Sequence, residues 1–591
     1  MPASDPIAAR PPSLVESAAV FAVFGALYAA TAATTVQGGD ASEFMTIAGA
    51  GGVAHPPGYP LFSVLVRAAA LLPVGTVAWR ASLAAAVEAA LALGVLHACV
   101  GRLTGSRVAA LVAAGSLGLS LHFWRYATVS EVFAGACLTA ALVLAAAIAC
   151  ARPRPGPREA LLAGLALASG VANHHAVVFL APLALLQAWY LLRGPRPWAS
   201  LGAGLLGLAP GFALYGLLSA PGGAWRWGET TTWAGLAHHF LRRDYGTLRL
   251  VGGGVEVAWW DHPWHWLAQT PGELAGLYAV LALLGLGLAL RNGPSRPVLF
   301  ALLMALAGSG PLFLSLFNLP ATWPDTVITA RFHLVPTTLL SVFTGIGTAW
   351  LLRRLPRARS LPVLLLAGLV VPLILNLPRA PHRGWTVLED YLRNLLSDLP
   401  PGSLVLLPGD NEMFGARYLQ AVERERTDVA FVNPAMLGYP WYRALLAREH
   451  PALVLERGGQ PLVDAASLAT ANLDQVPIFA AFDLFADPTF GALPAYPWGA
   501  VAMRLATPGV PLPSPAELEP RMRAALAGYT LRSRVETPFQ AHETWEVFAW
   551  DSYARAFTTL ANAWRAAGDP AAEARCRATA RELSPFLYGE P

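Results

Sequence analysis

Residues 129–151 read VSEVFAGACLTAALVLAAAIACA, in which Glu131 is the only Asp, Glu, Arg, Lys or His. A bilayer core of about 30 Å is crossed by roughly 20 predominantly apolar residues in a helix, so this run predicts a transmembrane helix. Comparable runs occupy residues 14–34, 79–101, 107–123, 159–172, 175–192, 199–220, 273–290, 297–317, 334–352 and 361–378. We therefore expect a polytopic α-helical membrane protein with about 11 transmembrane helices.

The overall composition favours the same class. Of the 591 residues, 55% are hydrophobic and 13% are charged, and the mean hydropathy is +0.47. Soluble domains carry about 25% charged residues. The net charge of +4 does not indicate nucleic-acid binding. The four cysteines lie in apolar runs or in a helical tail, so no disulfide framework is visible.

The distribution of arginine predicts the orientation of the chain in the membrane. Short cytoplasmic loops are enriched in basic residues, and arginines occupy every connection that follows an even-numbered span. These arginines are Arg102, Arg107, Arg152, Arg154, Arg158, Arg193, Arg196, Arg291, Arg296, Arg353, Arg354, Arg357 and Arg359. With Arg10 in the cytoplasm, the odd-numbered connections and the chain from residue 379 onward lie outside. We expect an integral protein of a bacterial inner membrane whose odd-numbered connections and C-terminal domain face the periplasm.

The first external connection carries two carboxylates close to a predicted span. Asp40 and Glu43 are three residues apart, so one helical turn would present both on one face. Gly38 and Gly39 permit a sharp backbone turn just before them. Residues 61–72 predict a short amphipathic helix that lies at the membrane interface. Ionisable residues beside a span are functional candidates, so Asp40 and Glu43 are the candidate catalytic residues.

Other polar residues collect in the remaining external connections. The candidate substrate-binding residues are His55, Tyr59, Arg125, Glu131, His174, His175 and Arg331. A loop near residues 221–272 also carries many tryptophans, which interfacial anchoring explains equally well. Adjacent histidines are more often a loop feature than a metal site, so we assign no metal ligands.

Several stretches together resemble a known family. They are GGDASEF (38–44), VAHPPGYPLFSVLVRAAALLPVGTVAWR (53–80), HFWRYATVSEVFA (122–134), SGVANHHAVVFLAP (169–182) and LPGDNEMFGARYLQAVERERTDVAFVNPAMLGYPWY (407–442). They resemble the domain-of-unknown-function 2723 family, whose members are similar to protein O-mannosyltransferases of the GT-C glycosyltransferase superfamily. The resemblance covers about residues 15–445. One departure is Ala41-Ser42, where members often carry Ser-Gly, but both acids are present.

The resemblance implies a membrane glycosyltransferase. Its co-substrate would be a polyprenyl-phosphate sugar, such as mannose, and its acceptor an external protein or glycan hydroxyl. The resemblance places Asp40 in the position of the catalytic acid, with Glu43 and His55 as nearby support. A hydroxyl acceptor needs a positioned base, and a departing phosphate favours arginine. Arg331 is preferred over Arg125 for that role.

The C-terminal part predicts a separate fold. We divide the chain into a transmembrane catalytic domain (1–378), an external α/β domain (379–550) and a helical hairpin similar to one tetratricopeptide repeat (551–591). GSLVLLPGD, NEMFGARYLQAVERE and DVAFVNP predict a β-α-β unit, and VPIFAAF and WGAVAMRLA predict further strands. Asp410 and Asn411 follow the first strand, where open sheets bind ligands or where a side chain caps a helix.

Two other functions compete with a transferase. A transporter or lipid flippase places ionisable residues near the bilayer midplane within repeated halves, and no such repeat is visible. A non-catalytic scaffold would leave the pair Asp40 and Glu43 unexplained. The sequence has no Gly-rich phosphate loop for a soluble nucleotide. Divalent-metal dependence and oligomeric state are left open.

Overall fold

The computed structural model describes residues 12–588 except 248, 252–253 and 294–295. Arg10, used in predicting the orientation, lies outside the described residues. The chain divides into two compact units. The helical unit comprises residues up to 34 together with 53–222 and 230–383. The α/β unit comprises residues 35–52, 223–229 and 384 onward.

Helices account for most of the described chain. In chain order they are α1 (Leu14–Thr31), α2 (Ala41–Ala50), α3 (Pro60–Ala70), α4 (Val77–Thr104), α5 (Arg107–Gly118), α6 (Leu121–Ala127), α7 (Phe133–Cys150), α8 (Pro157–Asn173), α9 (Ala181–Leu192), α10 (Pro197–Ala213), α11 (Trp233–Phe240), α12 (Asp261–Glu273), α13 (Leu277–Asn292), α14 (Pro297–Ala307), α15 (Asp325–Thr329), α16 (Leu334–Arg354), α17 (Leu361–Ala367), α18 (Val370–Asn376), α19 (Val387–Asp398), α20 (Asp410–Ala421), α21 (Pro440–Glu449), α22 (Ala465–Asn472), α23 (Pro488–Gly491), α24 (Pro515–Gly528), α25 (Pro538–Glu543), α26 (Val547–Ala567), α27 (Pro570–Leu583) and α28 (Pro585–Tyr588).

The strands are short and belong mainly to the α/β unit. They are β1 (Gly52–Val53), β2 (Trp225–Arg226), β3 (Leu404–Leu406), β4 (Ala430–Val432), β5 (Glu456–Arg457), β6 (Gln460–Pro461), β7 (Ile478–Ala480), β8 (Ala495–Trp498) and β9 (Ala502–Leu505).

Among the described residues, six helices are long and apolar enough to cross a membrane, judged by length and composition. They span Leu14–Thr31, Val77–Thr104, Phe133–Cys150, His175–Leu192, Pro197–Ser219 and Asp325–Arg354. The predicted run 107–123 is not one straight helix, because α5 and α6 meet at 71°. Ser120 begins α6 in extended backbone, which interrupts the helix. Counting that pair gives up to seven spans. Every other predicted run overlaps a helix, and the total of eleven stays a prediction.

Glycines allow neighbouring helices of the helical unit to approach closely. A Cβ on Gly164 of α8 would come within 2.2 Å of the carbonyl oxygen of Gly204 in α10. A Cβ on Gly207 of α10 would come within 2.4 Å of the carbonyl oxygen of Leu161. Small residues at helix contacts are typical of membrane bundles, where dispersion between close backbones replaces the hydrophobic effect. These contacts join α8 and α10 along their lengths.

The α/β unit contains a five-stranded sheet in the order β4-β3-β7-β9-β8. Strand β3 runs parallel to β4 and β7, whereas β9 runs antiparallel to β7 and β8. Four strands coincide with the predicted ones, and β8 does not. Strand β8 contains Pro497, and a proline within an apolar run argues against a central strand. The proline is tolerated here because β8 lies at the edge of the sheet.

Helices α26 and α27 near the C-terminus form a hairpin. Helix α26 ends at Gly568, whose φ of +79° closes the turn. Asp569 accepts hydrogen bonds from the backbone N–H groups of Ala571 and Ala572 and so caps α27. The first helix begins at Val547, four residues before the predicted boundary at 551.

Candidate functional site

Asp40 begins helix α2 in the α/β unit. It occupies the N-cap position without a side-chain capping bond, and it is half-buried. Its backbone oxygen accepts from the N–H groups of Glu43 at 3.1 Å and Phe44 at 3.3 Å. Gly39, directly before it, has a φ of +68°, a conformation that glycine adopts without strain. The predicted sharp turn and helical turn are both present, and the N-terminal end of α2 favours negative charge.

Glu43 lies inside the α/β unit, with a side chain from another segment bound to it. The residue is 1% exposed, and the indole Nε1 of Trp225 donates to its Oε1 at 3.0 Å. Trp225 packs edge-to-face on Phe414 of α20 at 5.9 Å and lies 5.9 Å from the guanidinium of Arg417. Arg417 in turn pairs with Glu449 at 2.6 Å. This arrangement anchors α2 to the helices beside the sheet.

Two further side chains of the α/β unit bind the backbone before Asp40. Glu546 accepts from the N–H of Gly38 at 2.8 Å, and Asn411 accepts from the N–H of Gly39 at 2.5 Å. One of the two roles predicted from the sequence for Asp410 and Asn411 was capping of the helix after the first strand. The N-cap of α20 is Gly409, so neither side chain has that role.

Carboxylates gather at the carboxyl end of the parallel strands. Burial, the largest cause, and the nearby carboxylates of Asp483, Asp410 and Glu546 together raise the pKa of Glu412 to about 7. Asn433, which follows β4, donates to Asp410 at 3.4 Å. The carboxyl group of Glu412 therefore changes its protonation state near neutral pH.

In the helical unit, Arg331 is the centre of a polar and aromatic group. Its guanidinium lies 3.6 Å from the carboxylate of Glu131, and both side chains are largely buried. The same guanidinium lies 5.3 Å from the ring of Phe133 and 5.6 Å from the ring of Phe332. Aromatic faces stabilise a cation at such distances. Glu131 and the two rings therefore hold the guanidinium of Arg331 in a largely buried position.

Histidine and tyrosine extend this group. The ring of His174 lies 5.4 Å from that of Phe133 and 6.1 Å from that of Phe332. Tyr59 stacks on His174 at 6.1 Å, and its hydroxyl lies 3.1 Å from Nε2 of His55. Residues from three of the quoted motifs, together with Arg331 and Phe332, thus form one chain of contacts. The polar members are His55, Tyr59, Glu131, His174 and Arg331.

Two of the candidate residues lie apart from this group. His175 bonds through Nε2 to the hydroxyl of Tyr215 at 2.9 Å, and its ring packs 4.7 Å from that of Phe240. Arg125 donates to the backbone oxygen of Arg379 at 3.0 Å. Both residues make contacts that stabilise the helical unit. Arg331 is therefore better placed than Arg125 to bind a departing phosphate.

The sequence did not single out a second polar pocket in the helical unit. Its lining includes His122, Gln269, Glu273 and His333. His122 Nδ1 lies 2.6 Å from Glu273, and His333 Nδ1 lies 3.2 Å from Gln269. The spacing of Gln269 and Glu273, four residues apart on α12, is the signal that could have indicated a shared helical face.

No cluster of three or more His, Cys, Asp or Glu side chains with the geometry of a metal site occurs within the described ranges.

Comparison with protein families gives two matches. Residues 40–198 match the N-terminal domain of protein O-mannosyl-transferase TMEM260, and residues 388–450 match TMEM260-associated domain 2. The first match begins at Asp40 and includes every polar member of the Arg331 group except Arg331 itself.

Two curated proteins are similar over most of this chain. Protein O-mannosyl-transferase TMEM260 of Mus musculus is 30% identical over 469 residues, which are 75% of this chain and 66% of that protein. Protein O-mannosyl-transferase tmem260 of Dictyostelium discoideum is 25% identical over 468 residues, 71% of this chain and 57% of that protein. The matches thus cover about two thirds or less of these relatives' lengths.

Solved structures show the fold. ArnT from Cupriavidus metallidurans bound to undecaprenyl phosphate has a TM-score of 0.50 at 13% identity, covering 85% of this chain and 99% of that chain. Its apo form has a TM-score of 0.51 at 11% identity, covering 83% and 97%. The predicted class, a polytopic helical membrane protein of the GT-C fold resembling protein O-mannosyltransferases, is confirmed. The narrower assignment to the 2723 family stays a prediction.

Proposed function

We propose that this chain, a protein O-mannosyl-transferase-like membrane protein of the GT-C fold, transfers a sugar from a polyprenyl-phosphate donor to a hydroxyl group of an acceptor protein. The observation that carries the proposal is the family match over residues 40–198, because it begins at Asp40 and contains most of the Arg331 group. The ArnT structure bound to undecaprenyl phosphate supports a lipid-linked donor.

Asp40 is the proposed general base. The acceptor oxygen attacks the anomeric carbon of the sugar, and its proton passes to the Asp40 carboxylate. The bond between the anomeric carbon and the phosphate oxygen breaks, and polyprenyl phosphate leaves with the bonding electrons. A positioned base contributes about 10²–10⁴-fold to such a step.

Arg331 is the proposed binder of the donor phosphate. A guanidinium presents several N–H donors in a plane that suits phosphate oxygens. Glu131, Phe133 and Phe332 hold this guanidinium in place before any donor arrives. Preorganised positive charge stabilises the leaving phosphate without reorganisation during the reaction. His55, Tyr59 and His174 are the remaining proposed substrate contacts.

The protein is proposed to lie in a bacterial inner membrane with α2 on the periplasmic side. Ser42 is fully buried, so an exposed position is better suited to a topology test. A cysteine in place of Gly49, an exposed residue of α2, is expected to react with a membrane-impermeant maleimide in intact spheroplasts. A cysteine in place of exposed Pro153 is expected to react only after lysis. The native cysteines are buried. The reverse pattern would overturn the orientation.

The activity is tested with purified protein in liposomes and a hydroxyl-bearing acceptor peptide. Mannose on polyprenyl phosphate is expected to be transferred, whereas a nucleotide sugar without lipid carrier is expected to give none. Glucose and galactose on the same lipid carrier test the specificity of the protein for the donor sugar. Transfer from the nucleotide sugar alone, at the rate seen with lipid-linked mannose, would contradict the proposed donor class.

A further inference from the structure

We propose that Asn411 and Glu546 are positioning residues that fix the backbone immediately before Asp40 and thereby set the location of its carboxylate. The inference rests on the proposed function of Asp40 as a base. It gives the α/β unit a direct part in catalysis, since both side chains belong to segments far from Asp40 in sequence.

The first support is a pair of hydrogen bonds on consecutive residues. Glu546 Oε1 lies 2.8 Å from the backbone nitrogen of Gly38, and Asn411 Oδ1 lies 2.5 Å from that of Gly39. Glu546 is only 3% exposed. Gly38 is buried as well, so its N–H relies on this acceptor and not on water.

The second support is the backbone conformation of Gly39 and the close packing around Gly38. Gly39 has a φ of +68°. A Cβ on Gly38 would meet Cβ of Trp545 at 2.3 Å and Oδ1 of Asn411 at 3.1 Å. The glycine backbone therefore packs directly against the two segments that supply its hydrogen-bond acceptors.

The third support is how the loop is held upstream. Thr35 Oγ1 and Gln37 Nε2 both donate to the backbone oxygen of Trp385 at 3.0 Å. The Ser42 hydroxyl donates to the backbone oxygen of Gln37 at 2.6 Å. The amides of Gly38 and Gly39, which lie between these anchors, are bound by Glu546 and Asn411, so losing one acceptor releases the peptide that precedes Asp40.

Such a release has a kinetic consequence. Misplacing a reacting group by about 1 Å can cost about 10²-fold in rate. The variants Asn411→Ala and Glu546→Ala remove the acceptors, whereas Asn411→Asp and Glu546→Gln retain an oxygen at each position. We expect the alanine variants to lower kcat about 10- to 100-fold with little change in KM for the lipid donor. The conservative variants are expected to restore most of kcat.

A matched control separates positioning from general destabilisation. Asp464 caps α22 by accepting from the N–H of Ser467 at 2.8 Å, and it is exposed within the same unit. Asp464→Ala removes a comparable bond but is expected to leave kcat unchanged. In the Asp40→Asn background, Asn411→Ala is expected to cause no further loss, because the group that it positions no longer acts as a base.

The decisive experiment adds hydrogen exchange of the full-length protein, measured by mass spectrometry on peptides covering residues 36–44. Faster exchange there in Asn411→Ala and Glu546→Ala, but not in Asp464→Ala, supports the positioning role. A wild-type protein that transfers no sugar would refute the proposed function but not the positioning role. Unchanged exchange would overturn the proposal. An additive loss of kcat in the double variant Asp40→Asn with Asn411→Ala would overturn it too.

Discussion

At the scale of single residues, burial distinguishes the two acids of α2. Asp40 is half-buried at the start of the helix, whereas Glu43 is 1% exposed and bound by Trp225. The sequence placed both on one helical turn from their spacing alone. It could not reveal the partner of Glu43, because Trp225 lies in another connection and no periodicity links the two positions.

Glu43 therefore offers a first prediction. Glu43→Gln retains an oxygen that can accept from the Trp225 indole, so turnover and thermal stability should change little. Glu43→Ala leaves that buried N–H without an acceptor and should destabilise the protein by about 1–3 kcal/mol. Thermal unfolding and turnover of both variants in the same detergent provide the measurement. A larger loss of turnover in Glu43→Gln than in Asp40→Asn would make Glu43, rather than Asp40, the general base.

The raised pKa of Glu412 predicts a pH dependence of stability. Its folded-state pKa is about 7, above the value of about 4.3 for an unperturbed glutamate. Between these values the folded state holds the proton more tightly, so this group makes stability fall as pH rises towards 7.

The test compares melting temperatures at pH 5 and pH 8. Glu412→Gln lacks this titration, so its advantage over the wild type should be larger at pH 8. An exposed glutamate of the same unit, Glu456, serves as a control when replaced by Gln. An equal difference between Glu412→Gln and the wild type at both pH values would rule out the titration of Glu412 in this range.

At the scale of elements, hydrophobic runs predicted the helices well but not their breaks. The bend between α5 and α6 depends on Ser120, a polar residue within an otherwise apolar stretch. The Arg331 group was predictable only as a set of candidates. Its assembly depends on how helices pack, and the aromatic partners Phe133 and Phe332 carry no distinguishing signal in an apolar sequence.

Helix α10 allows the packing argument to be tested within one element. Gly207→Ala places a methyl group against α8, where the added Cβ would meet a carbonyl oxygen at 2.4 Å, and should lower the melting temperature. Gly202, in the same helix, has no atom within 4 Å of the position that a Cβ would occupy. Gly202→Ala should be neutral or stabilising by up to about 1 kcal/mol. Equal melting temperatures for the two variants would contradict the close contact of α8 and α10.

At the scale of the whole molecule, the units do not follow the order of the chain. Composition predicted a boundary at residue 379, where the apolar runs end. The α/β unit also includes residues 35–52 and 223–229. That grouping depends on contacts such as Asn411 with Gly39, between residues more than 300 positions apart. Local sequence patterns carry no information about such pairings. The family resemblance includes residues 38–44 and 407–442, but it did not indicate that they belong to one unit.

The central claim is that Asp40 accepts the proton of the acceptor hydroxyl. The most direct test is the single-turnover rate of sugar transfer from polyprenyl phosphate by Asp40→Asn, at saturating donor and acceptor and with thermal stability matched to the wild type. Asparagine keeps the shape and removes the basicity, so we expect the rate to fall about 10²–10⁴-fold with donor binding retained. A rate within about twofold of the wild type would contradict the claim, because losing an acting base costs far more.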